Sequence, residues 1–226
     1  NFCNQYDVLG YQSEGGYAEL VSVPVSSLIP IPDGVGDVEA AAFPLSFLTA
    51  WHMLHTRARL AAGDSVLVLA AGSGVGQAAI QIAKALHAKV FATAGTDLKL
   101  DRASSLGADE VIDHYRDDYV KKVRQLTANR GVDIVVEHVG SATWEKSVRC
   151  LARGGRLVTC GATTGHQAAV DLRHLFARQL SLLGSYMGSK GELLRAADLF
   201  FRGVFKPVVD RTFPLADAAH AQARLE

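Results

Sequence analysis

Apolar residues along this chain change their spacing several times, and each change marks an element. Residues 66–70, Val-Leu-Val-Leu-Ala, form an unbroken apolar run, the pattern of a strand buried on both faces. Just beyond, Ala79, Ile82, Ala83 and Leu86 recur at the spacing of one helix face. The alternation continues with strand 89–94, helix 98–106, strand 110–113, helix 119–127 and strand 132–136. Helix 143–151, strand 156–160 and an apolar strand over 176–185 complete it. Upstream, residues 17–24 read as a short strand after the Gly15-Gly16 turn, and 38–42 as a short helix. Residues 48–60 read as a longer amphipathic helix that Gly63-Asp64 stops. Pro214 suits a first helical turn, and Leu215, Ala218, Ala219 and Leu225 then share a face. Strand–helix alternation with short glycine-containing loops predicts an α/β fold with a doubly wound parallel sheet.

Composition narrows the picture. The chain has 226 residues and is 49% hydrophobic, enough for one large domain or one domain and part of another. Its 23 basic and 23 acidic residues balance, so it carries no electrostatic footprint for nucleic acid or an anionic membrane. No apolar run is long enough to span a bilayer, and no signal-peptide pattern opens the sequence. Cys3, Cys150 and Cys160 make neither a disulfide framework nor a CxxC pair, so a reducing, cytoplasmic compartment is expected. The sequence starts with Asn1, and its last amphipathic pattern runs to Arg224-Leu225-Glu226 without a stop signal. The expectation is a chain cut at both ends.

Chemistry enters at Ala71-Gly72-Ser73-Gly74-Val75-Gly76, which joins the first buried strand to the first helix. A dinucleotide pyrophosphate needs backbone N–H groups at a helix N-terminus, approached closely. Gly74 and Gly76 remove the side chains that would block that approach. Gln77 occupies the third glycine slot, so the literal GxGxxG fails; the strand before and the helix after supply the confirming context. An NAD site usually has an acid at the end of the second strand, about 20 residues on. Here that strand ends Ala92-Thr93-Ala94-Gly95-Thr96, and Ala94 leaves a 2′-phosphate unopposed. Asp97 reads as the N-cap of the next helix, and Lys99 in its first turn offers a point charge. NADP(H) is expected in preference to NAD(H).

Four other patterns read plainly. Tyr186 and Lys190 spell YxxxK, but Gly188 and Ser189 intervene, so the two do not share a helix. His52 and His55 sit at i, i+3 without a third ligand and read as ordinary helix surface. Glu137-His138 ends a strand on the cofactor side, as a proton relay or as a carboxylate near the cofactor. Cys150 falls on an apolar helix face and reads as a buried, inert thiol.

The sequence resembles the medium-chain dehydrogenase/reductase superfamily, in particular its zinc-type alcohol dehydrogenase and quinone oxidoreductase branches. The stretches that carry the resemblance are Gly16-Tyr17-Ala18-Glu19, Ala40-Ala41-Ala42-Phe43-Pro44-Leu45, Leu48-Thr49-Ala50-Trp51, the 71–76 turn, Leu106-Gly107-Ala108 and Gly154-Gly155-Arg156. It implies three parts: residues 1–45 ending a GroES-like β catalytic domain, 46–186 forming a Rossmann NAD(P)-binding domain, and 187–226 returning to the catalytic domain. It implies that Thr49 contacts the nicotinamide side and that Ser73, Gly74, Val75 and Gly76 hold the pyrophosphate. Thr93, Lys99 and His114 would surround the adenosine phosphate, with Val139 and Gly140 beside the adenosine or ribose. Cys160, Gly161 and Ala162 would line the nicotinamide, and Leu183, Gly184 and Ser185 would close that side.

Members with catalytic zinc carry a cysteine where Leu45 aligns, and leucine cannot ligate zinc, so catalytic zinc is not expected. Cys3 resembles the fourth cysteine of the family's structural zinc lobe; its partners would lie before Asn1, in the full-length protein. The edge strand 180–185 implies a homodimer. The activity implied is hydride transfer between NADPH and a small-molecule carbonyl, quinone or activated alkene. Two alternatives stay open: a zinc-dependent, NAD-linked alcohol dehydrogenase, and a non-enzymatic NADPH-binding protein. Ala94 argues against a methyltransferase on the same sheet.

Overall fold

A computed structural model describes residues 7–225. Six parallel strands form one sheet: β1 Ser65–Val68, β2 Lys89–Ala94, β3 Glu110–Asp113, β4 Val132–Glu137, β5 Leu151–Thr159 and β6 Ser181–Gly184. Their spatial order is β3-β2-β1-β4-β5-β6, the doubly wound Rossmann order. Leu67 of β1 pairs with Phe91 of β2 on one side and Val135 of β4 on the other. The order reverses between β1 and β4, and the crevice at that switch point is where ligands bind in such sheets.

The apolar runs follow from this arrangement. Val66 and Val68 of β1, Val90 and Ala92 of β2, and Ile134 and Val136 of β4 enter one core. Leu67, Phe91 and Val135 enter the other, on the opposite face. Successive strand side chains point to opposite faces, and both faces are covered, so the central positions of β1, β2 and β4 are apolar on both sides. The helices are α1 Asp37–Ala42, α2 Pro44–Trp51, α3 Gly74–Ala85, α4 Asp97–Ser105, α5 Tyr119–Leu126, α6 Trp144–Cys150, α7 Leu172–Ala177, α8 Lys190–Phe201 and α9 Ala218–Ala223. The first core takes residues from α2, α3 and α8, with Phe43 stacked on Phe200 at 4.5 Å. The second takes Tyr119 and Val123 of α5 and Val148 and Cys150 of α6. Among the described residues, no helix is long and apolar enough to cross a membrane.

Several elements differ from the pattern reading, each for a physical reason. Residues 17–24 form no strand; no described segment pairs with them, and Leu20 is 90% exposed. A strand needs a neighbour for its backbone groups, and alternation alone cannot supply one. The helix expected over 48–60 begins at Pro44, a residue suited to a first turn, and passes at His52 into a π-helical segment, His52–Arg57. The strand expected over 176–185 opens on the end of a helix: the Asp171 carboxylate accepts from the Arg173 N–H and starts α7, which runs through Phe176 and Ala177, so β6 begins only at Ser181. β5 starts at Leu151, five residues earlier than expected, because Gly154-Gly155 lies within it where a register shift against β4 occurs. Thr96, not Asp97, caps α4; its side chain accepts from the Lys99 N–H, and Asp97 becomes the first helical residue.

Candidate active site at the carboxyl ends of the strands

The glycine turn is built as a cradle. The Ala71 N–H donates to the Thr93 carbonyl at 2.8 Å, tying the turn to β2. Ser73 is the N-cap of α3, its hydroxyl accepting from the Gly76 N–H at 3.0 Å. A methyl group at Gly76 would sit 2.5 Å from the Ala70 carbonyl oxygen and 2.9 Å from the Ala71 Cα, so only glycine fits. One at Gly74 would meet the Ser46 hydroxyl at 3.0 Å. Gln77, in the third glycine slot, donates its side-chain amide to the Gly72 carbonyl and braces the turn from inside the helix. Helix geometry leaves the first amides of α3, those of Gly74 and Val75, without intrahelical partners, and the helix dipole makes that end attractive to an anion.

Lys99, in the first turn of α4 after β2, reaches the glycine turn, while His114, after β3, packs at the end of β2. The Lys99 stem lies over Gly72, with its Cδ 2.7 Å from where a methyl group there would be. His114 meets Tyr115 edge-on at 4.5 Å, and both crowd Gly95. Asp97 is bound by Arg116 at 2.8 and 3.0 Å, and the hydrogen bond and charge of that guanidinium hold its carboxyl below the usual range. Arg116 also reaches Asp113 at 3.1 Å. Arg116 is not among the residues expected from sequence; a pairing across 19 residues leaves no periodic signal. Thr93 is buried within β2, so its carbonyl, and not its hydroxyl, serves the turn.

Across the switch point, Glu137 organises the loop after β4. It is 0% exposed and accepts from the Val139 N–H at 2.6 Å, the Gly140 N–H at 3.1 Å, the Thr143 hydroxyl and the Ser147 hydroxyl. A carboxylate so fully bonded shapes the loop and leaves no oxygen to relay a proton. His138 shares a hydrogen bond between its Nε2 and the Ser73 hydroxyl at 3.2 Å, linking this loop to the glycine turn. Burial holds its pKa below the ordinary histidine value, so it is neutral near pH 7.

Beyond this loop a cleft of about 630 Å³ opens at the ends of β4, β5 and β6. It gathers six expected residues: Gly140, Cys160, Gly161, Ala162, Gly184 and Ser185. It does not include Thr49, the turn residues Ser73 to Gly76, Thr93, Lys99, His114, Val139 or Leu183. Thr49 is buried in α2, Leu183 packs against the first core, and the Val139 carbonyl accepts from the Thr164 N–H and hydroxyl. The Trp144 Nε1 and the Ser185 hydroxyl, which also line the cleft, are buried without a hydrogen-bond partner among the described residues. Buried donors left open in this way fit a ligand rich in acceptors. Burial pushes the Cys160 thiol up to about 11, so it is not a thiolate near pH 7.

His52, expected on a helix surface, is instead 4% exposed and lines the cleft, and its Nδ1 lies 2.7 Å from Glu192 Oε1 on α8. The π-helical segment explains the difference: it turns His52, Thr56 and Arg57 toward α8 and β6, and Arg57 donates to the Gly184 carbonyl at 2.7 Å. His55 is exposed and stacks on Trp51. Lys190 opens α8 and donates to the Ser26 and Leu28 carbonyls, so it does not form a catalytic pair with Tyr186. Cys150 is buried, and burial raises its thiol to about 12.

Among the described residues no three His, Cys, Asp or Glu side chains group as a metal site requires, and Leu45 offers no ligand. Cys3 lies outside the described residues.

Strand order, the glycine turn between β1 and α3, and the cleft at the ends of β4, β5 and β6 together define a protein of the Rossmann fold. The zinc-binding dehydrogenase family model matches residues 74–202. The chain is 34% identical over 221 residues to a quinone oxidoreductase of Pseudomonas aeruginosa, covering 93% of this chain and 68% of that protein. A solved NAD-dependent alcohol dehydrogenase superposes with a TM-score of 0.95 at 45% identity, over 99% of this chain and 65% of that one. The 2-octenoyl-CoA carboxylase reductase CinF, solved with NADP and 2-octenoyl-CoA, gives 0.86 at 33% identity, over 94% of this chain and 52% of that one. The chain thus spans between half and two thirds of the length of these solved relatives. It belongs to the zinc-binding dehydrogenase family of the medium-chain dehydrogenase/reductase superfamily.

Proposed function

We propose that this protein is an NADP(H)-dependent oxidoreductase acting on a carbonyl, a quinone or an activated alkene, without a catalytic metal held by the residues described. The observation that carries this reading is the cradle at residues 71–76, where Gly76 admits no side chain and the amides that open α3 stand without helical partners. A bound nicotinamide supplies or accepts the hydride. The chain holds and orients it. Gly74 and Val75 amides face the diphosphate, and Lys99 beside Gly72 meets the 2′-phosphate. The cleft walls at Gly140, Cys160, Gly161, Ala162, Gly184 and Ser185 enclose the nicotinamide end and exclude water. Thr49 packs behind that end. Residues 46–186 act as the cofactor domain, with 1–45 and 187–226 belonging to a GroES-like catalytic domain, and Cys3 contributes to a structural zinc lobe. The compartment is cytoplasmic, and pairing of β6 edges makes a homodimer.

A second reading, NAD use by an alcohol dehydrogenase, is favoured by the 45% identity to a solved NAD-dependent alcohol dehydrogenase. Against it stand the missing acid at Ala94 and the pairing of Asp97 to Arg116, which engages that carboxylate. Calorimetric titration with NADPH and NADH separates the readings. Tighter binding of NADPH, with NADPH oxidation in the presence of a quinone or an enone, supports the first; preference for NADH supports the second. No heat with either overturns both.

A further inference from the structure

We infer that His52 is the proton donor of the cleft and that Glu192 is the residue that positions it, an inference that rests on the oxidoreductase reading above. Three independent observations meet here. The helix that carries His52 changes to π geometry at that residue, a local distortion frequently found at functional sites. The Glu192 carboxylate is held by four donors: the His52 Nδ1–H and the Thr56 hydroxyl on Oε1, and the Ser189 N–H and hydroxyl on Oε2. His52 itself lines the cleft, as does the Ser185 hydroxyl, which has no hydrogen-bond partner among the described residues.

The chemistry follows from the tautomer. A carboxylate saturated by donors accepts the Nδ1 proton and leaves Nε2 as the nitrogen for the cleft. Carboxylate, imidazole and an open reaction space in that order are the arrangement of general acid–base catalysis. In reduction, His52 Nε2 gives its proton to the acceptor oxygen as a hydride makes the new C–H bond and the acceptor's π pair moves onto that oxygen. Neutral imidazole remains with its Nδ1–H on Glu192, and solvent returns the proton. In oxidation the same Nε2 accepts it. The ionisable groups around His52 are Glu192 from α8, Arg57 on its own helix, Cys160 after β5, His166 on the connection to α7 and Tyr186 after β6. Glu192 makes a hydrogen bond to the imidazole.

The test uses the full-length protein, NADPH and 9,10-phenanthrenequinone, with nitrogen NMR of labelled histidine as a readout independent of turnover. His52→Gln keeps an N–H for Glu192 but cannot carry the proton. It should bind NADPH about as tightly as wild type, lose about 100-fold or more in kcat, and lose one limb of the kcat–pH profile. In wild type, His52 should show Nδ1–H, and its Nε2 resonance should titrate and move when NADP(H) enters. Wild-type kcat and pH profile in His52→Gln, or an Nε2 that neither titrates nor responds, would overturn the inference while leaving cofactor binding intact. Failure of the wild type to bind NADPH would instead remove the oxidoreductase reading and this inference with it.

Discussion

Replacing Glu192 by glutamine perturbs one carboxylate and leaves its size unchanged. Burial pushes the Glu192 carboxyl up, but the Ser189 N–H, the Thr56 hydroxyl, His52 and the Ser189 hydroxyl outweigh it and hold the group at about 2, against an ordinary 4.5. At about 1.4 kcal/mol per unit, the ionised form contributes about 3 kcal/mol to the fold near pH 7. The folded value lies below the unfolded one, so this stability is complete above pH 4.5 and disappears as pH falls toward 2. At pH 3 about 1 kcal/mol should remain. Glutamine cannot reproduce the effect: it is neutral in both states, and its NH₂ would meet donors where an oxygen now accepts. Urea unfolding of wild type and Glu192→Gln at pH 7 and pH 3 measures the gap directly. It should be about 3 kcal/mol at pH 7 and shrink by roughly half or more at pH 3. A gap that stays constant across that interval, or is negligible at pH 7, would refute the electrostatic account of this cluster.

Gly76→Ala forces a methyl group to 2.5 Å from the Ala70 carbonyl oxygen, so it should cost about 1–3 kcal/mol in thermal or urea unfolding and abolish NADPH binding in calorimetry. Lys99→Ala should weaken NADPH about tenfold and leave NADH unchanged, as competitive titration of both cofactors would reveal. Cys160, raised to about 11, should react slowly with a thiol reagent at pH 7 and faster as pH rises, while buried Cys150 stays inert until the chain unfolds; mass spectrometry of timed labelling reads both.

Strands buried on both faces are the legible part of this fold. β1, β2 and β4 feed two cores at alternate residues, so their central residues form unbroken apolar runs. β5 reads short because Gly154-Gly155 looks like a turn when it is a bulge inside a strand. α7 escapes a pattern reading because six residues hold less than two turns, too few for a helical period to emerge around Phe176. Residues 17–24 show the converse: alternation is present, but strand formation depends on a partner that pattern does not encode. The same division runs through the site. The glycine turn is contiguous, and its chemistry is written in seven successive residues up to Gln77. The Glu137 loop is also local, spanning ten residues to Ser147, yet its donors are ordinary serine and threonine and carry no signature. His52 and Glu192 lie 140 residues apart, and only packing of α8 against α2 makes them a pair.

Reception of a diphosphate by the amides that open α3 underlies every functional role assigned above. Backbone amide shifts recorded while NADPH is titrated test it at the atoms concerned. Gly74, Val75 and Gly76 should move together, saturate at one cofactor per chain, and stay unmoved when nicotinamide mononucleotide, which lacks the diphosphate, is added instead. Saturation elsewhere on the molecule with those three signals stationary would contradict it.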